Sequence, residues 1–312
     1  MDAIITANVI AASAGVLPLL QAAPWDGSIA AVFQRSILCT APDKRLLHLH
    51  SGPRLVSPFS LRIQGDFATV RQEGRLVQGM PVRKSDSAIE IAEHVHLRLD
   101  AITSYQSPSH MLAGIAPEAV RMAWQVLRTH GRPGGFERLP GIHALVTMIQ
   151  QALADSDDAQ MIEAARGFIG LGPGLTPSGD DFLVGCLRGL WLIRRNERAT
   201  RQRRKRWRTA LLPDLDECTT RVGAEFIRYA IHGAFAEVLD QAALSLLIPS
   251  HPQMVPSAVG RLLTQGETSG TDTALGLLRC LETLSSIPDR EPRHEWQDAP
   301  ATFSSMSAAT PS

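Results

Sequence analysis

The 312-residue chain has no net charge, since 31 Lys and Arg balance 31 Asp and Glu. That balance removes the bulk electrostatic signature of a nucleic-acid or membrane-surface protein, so neither partner is expected. There are only four cysteines, Cys39, Cys186, Cys218 and Cys280, and no CxxC pair among them. Their wide separation argues against a zinc ribbon or a disulfide framework. Cys186 and Cys280 stand inside apolar runs and read as small buried hydrophobes in a reducing compartment. The N-terminus, MDAIITANVIAASAGVLPLLQAAP, has Asp2 and no Lys or Arg ahead of its apolar part. It therefore lacks the positive n-region of a signal peptide. Asn8, Ser13 and Pro18 interrupt it, which leaves it short of a spanning helix. A small-residue helix or arm over residues 1–26 is expected, in a cytoplasmic protein.

What is present falls into two parts, with 44% hydrophobic residues to bury. Residues 27–108 carry short β-branched or alternating stretches, VFQRSILCT, RLLHLHS, PFSLRIQ, FATVRQ and MPVRKSDSAIEI, separated by Gly, Pro and Asp. They predict strands of a small barrel or sandwich. Residues 109–287 change to helical periodicity, beginning with PEAVRMAWQVLRT, whose proline suits a first turn. Residues 181–193 are apolar on nearly every side, which predicts a buried helix. Residues 219–247 read as two helices hinged near Gly233. The tail from Pro288 is polar and rich in Pro, Ser and Thr, and is expected to be disordered. The fold class is α+β, a β-rich first part followed by a mainly helical one. One stretch breaks the charge balance: RRNERATRQRRKRWR, residues 194–208, holds nine of the 31 basic residues and a single acid. A solvated helix end is the plainer reading, and a patch for RNA or an acidic partner is the sharper one.

The most specific feature is GLGPGLTPSGDD, residues 170–181. Two known phosphate patterns fail on it. The sixth position of G-x-G-x-x-G is Leu175 or Pro177, and Asp180-Asp181 stand where a Walker loop has Lys and Ser or Thr. A pair of acids repels a bare triphosphate, so the loop is no ordinary nucleotide site. Its end recurs: SGDDFLVGCL at Ser178 and SGTDTALGLL at Ser269 both read S-G-x-D-x-x-x-G-x-L. Ser178 and Ser269 are placed as N-caps, with Asp181 and Asp272 three residues on, where a carboxylate meets the positive end of a helix. Gly185 and Gly276, one turn further, remove side chains and let another backbone come close. Two such helices packed together would bring both N-termini, and Gly270 with them, to one pocket. The glycines Gly170, Gly172 and Gly174 exceed what capping needs. Backbone N–H groups at Gly172, Gly174 and Gly179 suit an anion. Asp180 suits a proton acceptor or a cation such as Mg2+; no cofactor is fixed by the pattern. Thr176, Ser178, Thr268 and Ser269 offer hydroxyls to ligand oxygens, and Arg228 is expected to project toward them as an anion partner. Two H-x-H pairs, His48/His50 and His94/His96, would each face one side of a strand. Without a third ligand they read as surface histidines.

The segments GLGPGLTPSGDDFLVGCL, TTRVGAEFIRYAIHGAF and GETSGTDTALG, in that order, resemble the AllH subunit family of oxamate carbamoyltransferase. SPFSLRI suits the β-rich first part of that family. The resemblance spans roughly residues 27–284. It implies a subunit that works with two others, one of them FdrA-like, in allantoin and purine-nitrogen breakdown. The implied reaction moves a carbamoyl group from oxalurate to phosphate, giving oxamate and carbamoyl phosphate. Small anionic ureides and phosphate are the implied ligands. Asp180 is the first choice for acid–base duty and Asp181 the second, being more committed to the helix start. A non-catalytic scaffold or anion-binding subunit is the other reading.

Overall fold

The computed structural model describes residues 4–108, 114–133, 135–192, 197–247 and 252–286. The first part is a barrel. Its strands are β1 (Ile5–Ser13), β2 (Trp25–Val32), β3 (Ser36–Thr40), β4 (Leu46–His50), β5 (Ser60–Ile63), β6 (Pro81–Lys84), β7 (Ala88–Ile91) and β8 (Val95–Arg98). They pair in the order β5-β4-β3-β2-β6-β7-β8-β1, and β1 closes the ring on β5. A further strand, β9 (Thr103–Tyr105), runs parallel to the end of β1. Closure removes the exposed edges that short strands would otherwise present. Two helices lie within this part, α1 (Leu17–Gln21) and α2 (Phe67–Glu73).

Two local expectations are corrected here. Residues 5–13 are not a helix but a barrel strand, paired with β5, β8 and β9. Ile5, Thr6, Val9 and Ile10 are β-branched and outweigh the small residues around them. FATVRQ is not a strand but most of α2, because the Asp66 side chain accepts from Ala68 N at 3.1 Å and caps a helix there.

The second part is helical: α3 (Pro117–His130), α4 (Ile142–Asp155), α5 (Asp158–Phe168), α6 (Ser178–Leu192), α7 (Glu197–Leu211), α8 (Leu215–Cys218), α9 (Arg221–His232), α10 (Glu237–Leu244), α11 (Val255–Leu263) and α12 (Ser269–Ser286). The break at Gly233 is as expected, with φ of 85° in a left-handed helix C-cap. Every residue of α6 is buried, in keeping with its apolar circumference. Its one cation, Arg188, is 1% exposed and pairs with Asp240, itself 0% exposed, at 2.5 Å. Tyr105, on β9, donates to the other Asp240 oxygen at 2.8 Å, and Phe235 lies under the guanidinium. Buried charges persist only with partners of this kind.

α9 joins the two cores. Ala224, Ile227, Ala230 and Ile231 belong to the helical core. Tyr229 is part of the barrel core, with Val222 and Phe226 packed against it. Phe59 of the barrel meets the Phe226 ring edge-on at 5.0 Å and stacks on Tyr229 at 5.9 Å. Arg45 binds Glu225 at 2.8 Å and also reaches the Tyr229 hydroxyl. The strand-to-helix seam is thus aromatic in the middle and ionic at one side.

The described part of the basic run lies on α7, and three of its arginines are held by neighbours. Arg203 and Arg206 pair with Asp158, Arg204 covers Trp191, and Trp207 is 1% exposed. Residues 193–196 and the Pro/Ser/Thr tail from residue 288 lie outside the described residues. Among the described residues no helix is long and apolar enough to cross a membrane.

Candidate functional site

The two copies of the helix-start motif face each other. α6 and α12 cross so closely that a Cβ on Gly185 would overlap the Thr273 carbonyl oxygen, and one on Gly276 would overlap the Phe182 carbonyl oxygen. Phe182 and Thr273 hold equivalent places in the two copies, so the contact has an internal two-fold character. Only hydrogen in place of a side chain lets the backbones approach this far.

This approach changes what the motif residues do. The first intrahelical bonds run from Asp181 N to Pro177 O at 3.1 Å and from Asp272 N to Thr268 O at 3.0 Å. Pro177 and Thr268 are therefore the caps, and Ser178 and Ser269 are one residue inside. The serines act across the pair instead. The Ser269 hydroxyl, with Thr176, stabilises charge on Asp181, and the Ser178 hydroxyl does so for Asp272. Thr176 Oγ1 and Ser269 Oγ are 2.8 Å apart. Neither carboxyl is satisfied by this: Oδ2 of Asp181 and Oδ2 of Asp272 are buried without a well-formed hydrogen bond. Burial, the strongest influence, raises both pKa values, and the neighbouring Asp272 raises that of Asp181 further, well above the ordinary value.

A cavity of about 860 Å³ opens beside this arrangement, between the helix starts and the barrel. Gly174, Thr176, Ser178, Asp181, Thr268, Ser269 and Gly270 line it. Gly172, Gly179, Asp180, Asp272 and Arg228 do not. The N–H groups of Gly179 and Gly270 are spent on Leu171 O, at 2.8 Å, and Gln265 O, at 3.0 Å. Asp272 Oδ1 accepts from Phe136 N at 3.0 Å, and the Gly135 backbone presses against its other oxygen.

The two adjacent acids face different ways. Asp180 points away from the cavity, accepting from Gly170 N at 2.7 Å and from the Thr219 hydroxyl. It ties the glycine loop to the segment leading into α9, against Gly223. Burial pushes its pKa up to about 6, while the Thr219 and Gly170 hydrogen bonds pull the other way. Gly170, Gly172 and Gly174 have φ of 76°, 112° and 104°, so the alternating glycines supply a left-handed course that lays the loop over the helix start. Asp181 is the acid that reaches the cavity wall. Arg228 is likewise corrected: it pairs with Glu225 at 2.5 Å and Asp216 at 2.8 Å, off the cavity.

The barrel contributes a residue that the sequence placed at the surface. His48 lines the cavity, and His50 is 3% exposed. Their rings are 5.4 Å apart. Burial pulls their pKa values down to about 3 and about 4, helped by His50 beside His48 and by Arg62 beside His50. Gly52 N donates to His50 Nδ1 at 3.1 Å, while Nε2 of each ring is buried without a partner. The signal was present in RLLHLHS, where leucines occupy both alternating faces. Among the described residues no three His, Cys, Asp or Glu side chains gather as a metal site would require.

An eight-stranded barrel packed on a helical part, with a cavity at two paired helix starts, defines a two-part α+β fold. Residues 8–104 match the AllH family N-terminal domain, and residues 168–281 match oxamate carbamoyltransferase subunit AllH. The chain belongs to the AllH family. No solved structure matches it.

Proposed function

We propose that the chain is a subunit of a complex that transfers a carbamoyl group from oxalurate to phosphate, in allantoin and purine-nitrogen breakdown in the cytoplasm, and that its cavity binds the ureide. The other subunits would include one of FdrA type. In the reaction a phosphate oxygen attacks the ureido carbonyl and the bond from that carbon to the inner nitrogen breaks. The nitrogen takes a proton and leaves as oxamate, while carbamoyl phosphate forms.

The observation that carries this reading is Asp181. It is a buried carboxyl with one oxygen unpartnered, on a cavity wall beside Thr176 and Ser269. Burial and the neighbouring Asp272 raise its pKa well above the ordinary carboxylate value, the direction a proton donor to a leaving amide nitrogen needs. The Thr176, Ser178, Thr268 and Ser269 hydroxyls supply hydrogen bonds to carbonyl and phosphate oxygens. The positive ends of α6 and α12 favour an anion at the same place.

The test is carbamoyl phosphate formation from oxalurate by the complex reconstituted with its partner subunits. Asp181→Asn is expected to lower turnover by roughly 100-fold or more, and Ser269→Ala to weaken substrate binding. Unchanged turnover in both variants would assign the cavity to assembly and leave the chain as a scaffold.

A further inference from the structure

The cavity is larger and less polar than a three-carbon ureide and phosphate require. Its volume of about 860 Å³ lies near the top of the range for drug-sized ligands. Polar side chains gather at the helix starts and in the loop before α12. Much of the remaining wall is apolar, with Leu38 and Phe59 from the barrel, Val222 and Phe226 from α9 and Leu239 from α10; Ser36 and His48 are polar barrel side chains there. Two large apolar residues are left exposed at the same cavity, Phe33 at 36% and Leu175 at 52%. Water gains little from such walls.

We propose that the barrel half is a second subsite, which takes a short apolar chain bearing one hydrogen-bonding atom held by His48. The ligand class is then a ureide or amide head at Asp181 and Ser269, continued by an apolar tail toward the barrel. This rests on the reading that the helix starts hold the ureide head. His48 sets how the tail may end: its imidazole gives or takes one hydrogen bond, and the surrounding phenylalanine and leucine side chains accept only hydrocarbon.

Calorimetric titration of the full chain with methylurea, n-propylurea, n-pentylurea and 3-hydroxypropylurea tests it. Each added methylene is expected to tighten binding by about fourfold until the barrel half is full. His48→Leu is expected to tighten the alkylureas and to weaken 3-hydroxypropylurea, a reversal that general loss of structure would not produce. His48→Gln, which keeps a polar end, is expected to retain the hydroxyl preference. Affinity independent of chain length, or no binding by n-pentylurea at tens of millimolar, overturns the proposal. Asp181→Asn separates it from the ureide reading. If chain-length dependence persists while Asp181→Asn changes nothing, the subsite stands and the ureide head is wrong. If Asp181→Asn abolishes binding while chain length has no effect, the subsite is wrong and the ureide reading stands.

Discussion

Asp180 is buried away from the cavity and bonded to the glycine loop. Its carboxyl is 1% exposed and holds the glycine loop to the lead-in of α9 through Gly170 N and the Thr219 hydroxyl. Its pKa stands at about 6 against an ordinary 3.8. The folded form binds its proton more tightly than the unfolded chain, so the contribution of this group to stability is fully present below about pH 4 and is lost as pH rises through 6. Above both values the accumulated loss is about 3 kcal/mol. Asparagine keeps the shape, can still accept from Gly170 N, and never ionises. Asp180→Asn is therefore expected to be more stable than the native chain at pH 7, by up to about 3 kcal/mol, and to show a shallower decline between pH 4 and 6, the raised Asp181 and Asp272 keeping part of it. Asp180→Ala is expected to cost roughly 1–3 kcal/mol, because Gly170 N loses its acceptor. Urea unfolding at a series of pH values measures all three proteins. If Asp180→Asn leaves stability and its pH dependence unchanged but abolishes carbamoyl transfer in the reconstituted complex, Asp180 acts on substrate and the structural assignment is wrong.

Gly185→Ala and Gly276→Ala should each destabilise the chain by roughly 1–3 kcal/mol or more, since the added Cβ meets a carbonyl oxygen of the facing helix. Thermal unfolding checks this, and neutral substitutions at both positions would show that the helices can separate freely. Arg188→Met strands the Asp240 charge in the core, and a loss of about 3–5 kcal/mol is expected by urea unfolding. Arg228→Gln should leave n-propylurea affinity unchanged, because its partners Glu225 and Asp216 lie off the cavity, while costing roughly 1–3 kcal/mol of stability, since Glu225 is buried and keeps Arg45. A marked loss of affinity would return Arg228 to the site.

The order of a barrel and a helical part was legible in the sequence because each rests on local periodicity. Alternation marks most of the strands, and α6 announces its burial by being apolar all round. Where periodicity was weak, local chemistry decided otherwise: β-branched residues made β1 a strand, and the Asp66 cap turned FATVRQ into a helix. The repeat at Ser178 and Ser269 was legible too, as were the glycines that permit a close helix crossing. What each polar residue does within the repeat was not. Capping rules act within one helix, and here the hydroxyls of one helix start serve the carboxyl of the other, 91 positions away along the chain. Choosing between Asp180 and Asp181 needed the position of Thr219 and of the cavity, and neighbouring residues on a helix differ in direction by about 100°. The burial of His48 and His50 depended on what packs around their strand once the chain is folded, Phe59 and Arg62 among it. Sequence by itself determined which segments form helices, which form strands, and where small residues allow backbones to meet. Tertiary structure alone decided which charges are desolvated and which polar atoms are left without partners, because both depend on what arrives from distant parts of the chain.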